Sequence, residues 1–238
     1  KLFLSVLQTL MKNKKDGFTL IEMVVTVSLL SIATAATVPV ITRNRWQGDV
    51  KTYAYKLESG LLDLKAKLGK QKTSCLIEFP TAYSFQTPDN LVEFSQGSSG
   101  NTTTMQCCNS EISQLANDPD CSTGAPGYSL STLTGRDQDN LRIVQYESTP
   151  ASKAVRVAVS TTNFGFTPPG TTLNSDQISF LICHERSLSE DDPTTCIPGS
   201  NKLAIRCVQI DGAGEVSNGH WKLEEPTSAI SSGSCQTT

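Results

Sequence analysis

Histidine is scarce in this chain, and cysteine is absent from the spacings that hold zinc. Only His184 and His220 occur among 238 residues, and they are too far apart in sequence to act as a ligand pair. None of the eight cysteines forms a Cys-x-x-Cys pair, so the usual zinc patterns are missing. Cys183 and His184 are neighbours. On a strand they point to opposite faces and cannot serve as nucleophile and base. Gly212-Ala213-Gly214 lacks the strand-to-helix setting of a phosphate loop. Aromatics are only 6% of the chain, and Trp46 and Trp221 read as packing residues. These gaps exclude the common catalytic constellations, and the chain is expected to be no enzyme, with no cofactor and no metal. Basic residues are also outnumbered, 20 against 23 acidic ones. That balance opposes nonspecific attraction to nucleic acid.

What the chain does have is one long apolar run. Residues 12–17 read KNKKDG, and an apolar stretch of 24 residues follows at 18–41. Its length suffices to cross a bilayer. Its single charge is Glu22. A lone carboxylate in a membrane-spanning stretch costs roughly 2.5–3.5 kcal/mol on insertion scales, so a residue kept there needs a partner. Lys12, Lys14 and Lys15 keep the leading end cytoplasmic and place everything after Ile41 outside the inner membrane.

Gly17-Phe18-Thr19-Leu20-Ile21-Glu22 resembles the prepilin peptidase site of type IV pilins and type II secretion pseudopilins. The resemblance implies cleavage after Gly17, methylation of the new amino terminus at Phe18, and pairing of Glu22 with the amino terminus of a neighbouring subunit during assembly. It also places Pro39 where many pilins bend or loosen this helix. Asp16 departs from the pattern, since a basic residue is commoner there. Two plainer readings compete. A secretory signal peptide would use Ala33, Ala35 and Ala36 as its cut site. An ordinary anchor would leave Glu22 unexplained.

The leader of 17 residues holds four of the 20 basic residues and one of the 23 acidic ones, leaving 16 and 22, a net charge near −6. All eight cysteines follow the apolar run: Cys75, Cys107, Cys108, Cys121, Cys183, Cys196, Cys207 and Cys235. An even number on the oxidising side predicts disulfides. The pairing stays open. The local candidates are Cys183 with Cys196 or Cys207, and Cys121 with Cys107 or Cys108.

Beyond Pro39 the helix is predicted to continue to Leu68, because Val50, Ala54, Leu57, Leu61, Leu64 and Leu68 recur at helical spacing. Asp63 and Lys67 form an i, i+4 pair, and Gly69 is the expected C-cap. Gly48 and Gly60 each cost about 1 kcal/mol relative to alanine in a helix and mark candidate kinks. Strand patterns follow at 75–79, 91–94, 141–146, 154–160, 177–183 and 202–210, and Asp211-Gly212-Ala213-Gly214 is a turn. Residues 95–127, polar and cysteine-bearing, read as an inserted loop, and 189–200 as a second one. The acidic run Glu190-Asp191-Asp192 reads as a solvated loop rather than a cation site.

The C-terminal half is similar to the heads of GspH/FimT-type minor pilins, which carry a Phe-x-Pro-x-Gly element before two strands and a turn. Phe166, Pro168 and Gly170 match that element. Some FimT-like members take up DNA through a basic turn near the C-terminus. Here that place reads Gly214-Glu215-Val216-Ser217, and a carboxylate there repels phosphate. The helix lysines Lys51, Lys56, Lys65, Lys67, Lys70 and Lys72 read as a solvated face or an intersubunit contact, so nucleic acid is disfavoured.

The expected fold class is α+β: a long N-terminal helix, half transmembrane, packed on an antiparallel β-sheet head. The expected organisation is a leader (1–17), a membrane or filament-core helix (18–41), its amphipathic continuation (42–69), a disulfide-bonded head (70–225) and a tail (226–238) held through Cys235. The resemblance implies other pilins, the prepilin peptidase and an inner-membrane assembly platform as partners. It implies a place first in the inner membrane and then in a pilus, a secretion pseudopilus or at the cell surface. The other reading is a head that binds a ligand for adhesion or DNA uptake.

Overall fold

A computed structural model describes residues 19–71, 73–94, 103–109, 128–129, 143–145, 149–167, 171–172, 177–199, 203–225 and 228–237. The chain divides into two compact units, Lys1–Thr42 and Arg43–Thr238. The first α-helix, α1 (Leu20–Gln71), begins in the first unit and ends in the second. Pro39 lies inside it and the helix continues through. It also runs past Gly69, so the predicted cap there is corrected: that glycine is helical.

Among the described residues the second unit contains three sheets. Two are five-stranded and antiparallel. The first runs in the order β4 (Tyr128–Ser129), β3 (Thr104–Asn109), β1 (Thr73–Glu78), β7 (Asn163–Thr167), β8 (Thr171–Thr172). The second runs β12 (Ser234–Thr237), β11 (Val216–Lys222), β10 (Arg206–Ile210), β9 (Ile178–His184), β6 (Val155–Val159). A short parallel pair joins β2 (Glu93–Phe94) to β5 (Val144–Gln145). Short helices α2 (Pro88–Leu91) and α3 (Pro150–Ala154) sit between strands. The overall class is α+β, a long N-terminal helix followed by antiparallel sheets.

Two predicted boundaries change. Residues 104–109 fall within the stretch read as an inserted loop, yet β3 pairs with β1 over six residues inside the sheet. Polarity hides it, because β3 (TMQCCN) lacks the apolar alternation of a half-buried strand. The tail is likewise more than a tether. Its β12 pairs with β11 from Gly219↔Thr237 to Lys222↔Ser234, and the Trp221 indole N–H donates to the Ile230 carbonyl at 3.1 Å.

Packing follows the two-residue period of strands. Ile178, Phe180 and Ile182 of β9, Val155, Val157 and Val159 of β6, and Val208 and Ile210 of β10 join one core cluster. The same cluster contains Val50, Tyr53, Ala54, Leu57, Leu61, Leu64 and Leu68, the apolar face of α1. Residues of opposite parity, Ala158, Leu181, Cys183 and Cys207, enter a second cluster with Phe85, Ile205 and Trp221. The second sheet is therefore a wall with core on both sides, which is why all seven residues of β9 are buried. Each large apolar side chain taken out of water contributes roughly 1.5–3 kcal/mol.

Candidate functional site

In the first unit, the described part of α1 is apolar on every side and almost wholly exposed, Leu20 by 83% and Ile32 by 70%. It is long and apolar enough to cross a membrane. Its hydroxyls are turned back onto the helix. Ser28 donates to the Val24 carbonyl (2.7 Å), Ser31 to Val27 (2.7 Å), Thr34 to Leu30 (2.9 Å) and Thr37 to Ala33 (3.0 Å). Such bonds satisfy hydroxyls without water and suit an apolar surrounding. Thr42 donates to the carbonyls of Val38 and Pro39, the residues beside the turn where proline leaves the helical ladder incomplete.

Glu22 stands in the first turn of α1. Its backbone N–H donates to the Thr19 hydroxyl at 3.3 Å, the N-cap half of a capping box. Among the described residues its carboxylate has no hydrogen bond and no ion pair. Gly17 and Phe18 lie outside the described residues.

In the second unit a polar stripe on α1 runs along β11. Residues 216, 218 and 220 share one face of that strand. Lys51, Glu58 and Lys65 are seven apart on α1, two turns of helix, and so share one stripe. Lys65 Nζ donates to the Gly214 carbonyl at 2.6 Å. Asn218 donates from its amide to the Glu58 carboxylate. At the end of the stripe Lys51 lines a cleft of about 340 Å³ with Asn44, Gln47, Gly48, Val50, Ala204, Arg206 and His220. Arg206 and His220 are directly cross-strand neighbours. Burial, and then the Arg206 charge, lower the His220 pKa from its ordinary value.

The turn from β10 to β11 is held from within. Gly214 has φ +78°, and Asp211 Oδ1 accepts from the Glu215 backbone N–H at 2.7 Å. Glu215 is exposed and Val216 opens β11, so the position of the basic turn carries a carboxylate beside an occupied carbonyl.

The cysteines form two described bridges, Cys183–Cys196 and Cys207–Cys235. Cys75 is also disulfide-bonded, and Cys107 is its backbone partner across β1 and β3. The side chains of Cys107 and Cys108, and all of Cys121, lie outside the described residues. Phe166 belongs to β7, is buried, and meets Phe164 edge-on at 4.7 Å. It is thus a core residue of a strand. β7 and β8 pair through Thr167↔Thr171, while Pro168 and Gly170 lie outside the described residues.

His184 and Cys183 do face opposite ways. Cys183 bonds Cys196 in the second cluster, while the His184 ring lies 5.5 Å from that of Trp46. His184 Nδ1 accepts the Arg186 backbone N–H at 3.1 Å, which favours the neutral ring. Burial, opposed in part by Glu185 and Asp49, lowers its pKa. In the acidic loop, Asp192 accepts from the Thr194 N–H and hydroxyl and from the Thr195 hydroxyl, and these bonds hold its pKa low. Among the described residues no cluster of His, Cys, Asp and Glu could hold a metal ion.

Sequence reasoning misses the cleft, the Glu58–Asn218 contact and the role of Gly60. The seven-residue spacing of Lys51, Glu58 and Lys65 is visible in the chain, but only the sheet shows what each meets.

A profile of the prokaryotic N-terminal methylation motif matches residues 12–38. Curated protein sequences give no match. Two crystal structures of the type IV minor pilin FimU from Pseudomonas aeruginosa (strain PAO1) are similar in structure to this chain. One is 13% identical, covering 79% of this chain and 93% of that one at a TM-score of 0.32. The other is 11% identical, covering 79% and 98% at 0.33. In its N-terminal segment the chain carries the prokaryotic N-terminal methylation motif.

Proposed function

We propose that the chain is a minor pilin or pseudopilin subunit whose mechanism is assembly rather than catalysis. One observation carries this reading: Glu22, inside the matched methylation motif, is a carboxylate that has no partner among the described residues and stands on an exposed, largely apolar helix. A membrane can hold that helix as a store, and an assembly machine can draw it out. A prepilin peptidase removes residues 1–17, and the freed Phe18 amine is methylated. In the filament Glu22 meets the amine of one neighbour, while Phe18's amine meets the carboxylate of another. In a low-dielectric core this pairing removes two uncompensated charges, each costly alone. Pro39 loosens α1 between its apolar and amphipathic halves. The head, with its disulfides, stands outside the cytoplasm on an inner-membrane anchor before assembly. Glu22→Ala tests the reading. The variant is expected to be cleaved normally yet to enter filaments poorly, measured by immunoblotting of cell and sheared fractions. Normal incorporation would sink the pairing account.

A further inference from the structure

The seam between α1 and β11 is closed at two of its three polar positions. Lys65 is bonded to Gly214 and Glu58 to Asn218. At the third, Lys51, its Nζ 5.8 Å from the centre of the Tyr55 ring, lines a cleft with the cation Arg206 and with His220. Arg206 and His220 stand directly opposite on paired strands, an arrangement that destabilises a sheet when both are charged. Among the described residues no carboxylate lines the cleft. The polar neighbours Asn44 and Gln47 add amides at its rim. A net-acidic chain thus gathers two permanent cations and a histidine around about 340 Å³, with no described counter-charge in the lining.

We propose that this cleft is an anion-binding site that receives an acidic peptide segment of a protein partner. Lys51 and Arg206 make charge-assisted hydrogen bonds to its carboxylates, and His220 and the Asn44 and Gln47 amides complete the rim. The site is local. One stripe position beyond it α1 presents Glu58, and the turn beyond that presents Glu215, so a long polyphosphate track would run onto carboxylates. A segment bringing one or two carboxylates fits, and a nucleic-acid strand does not. The site needs neither filament assembly nor cleavage, so it stands or falls apart from the assembly reading.

The test uses the full chain in neutral detergent micelles at low salt. Fluorescence anisotropy follows a labelled oligoglutamate peptide and, separately, a single-stranded DNA oligonucleotide of equal charge. The peptide is expected to bind more tightly than the DNA. Lys51→Ala with Arg206→Ala is expected to weaken peptide binding about tenfold or more, the loss of one to two charge-assisted bonds. Lys51→Glu alone, at an exposed helix position that does not threaten folding, is expected to do the same. No peptide binding at low salt, or equal binding by these variants, overturns the proposal. Tighter, Lys51-dependent binding of the DNA overturns it in favour of nucleic acid.

Discussion

Lys65 of α1 reaches across to the turn between β10 and β11 and donates to the Gly214 carbonyl at 2.6 Å. That turn needs Gly214 in the left-handed region, at φ +78°, where a side chain is strained. The helix therefore adds a second hold on a turn that Asp211 also braces. Lys65→Met keeps the aliphatic stem and removes the donor. It is expected to lower stability by about 1 kcal/mol, the scale of a partly screened hydrogen bond to a charged group. Chemical unfolding of the two proteins measures it; an unchanged midpoint would show the contact to be idle.

Two glycines of α1 should answer alanine in opposite ways. At Gly48 nothing lies within 4 Å of the added Cβ, so Gly48→Ala is expected to stabilise by up to about 1 kcal/mol through helix propensity alone. At Gly60 the Cβ would collide with the Ile143 backbone carbonyl. Gly60→Ala is expected to destabilise despite its better propensity. Thermal melts of both variants check the sign.

Acid should loosen the contact of His184 with Trp46. Its folded pKa is lowered, first by burial, so the folded state favours the neutral ring. The stability this ring contributes is complete above the ordinary histidine value of about 6.5 and is lost as pH falls below it. Glu185 and Asp49 oppose the shift, and Arg186 and Arg156 reinforce it. His184→Gln is expected to flatten the stability profile below about pH 6.5. An unchanged profile would place the titrating group elsewhere.

Non-reducing peptide mapping should recover Cys183 linked to Cys196 and Cys207 linked to Cys235. Replacing the second pair by alanine frees a connection of 28 residues and is expected to cost about 2–4 kcal/mol. It should also loosen β12, which among the described residues pairs with β11 alone.

Much of the architecture is legible in the amino-acid sequence. The apolar face of α1 shows itself because helical spacing is dense there: six residues from Val50 to Leu68, all buried. The N-terminal motif is legible because it is a contiguous string. β3 is not, since its sequence is polar and its pairing with β1 is a nonlocal fact. β12 is hidden for the same reason: Ser-Cys-Gln-Thr alone signals a tail. Gly60 reads as a kink because propensity is local, whereas its reason, the Ile143 carbonyl, lies far along the chain. The cationic cleft depends on Arg206 and His220 being cross-strand partners, which register alone decides.

Processing at Gly17–Phe18 and assembly into a filament stand at the centre of the proposed function. Mass spectrometry of the subunit from sheared surface filaments of the native cells tests both most directly. The predicted result is a mature chain that begins at Phe18 and carries one added methyl group on its amine. A chain that still carries residues 12–17, or one cut instead near Ala33–Ala36, would contradict it.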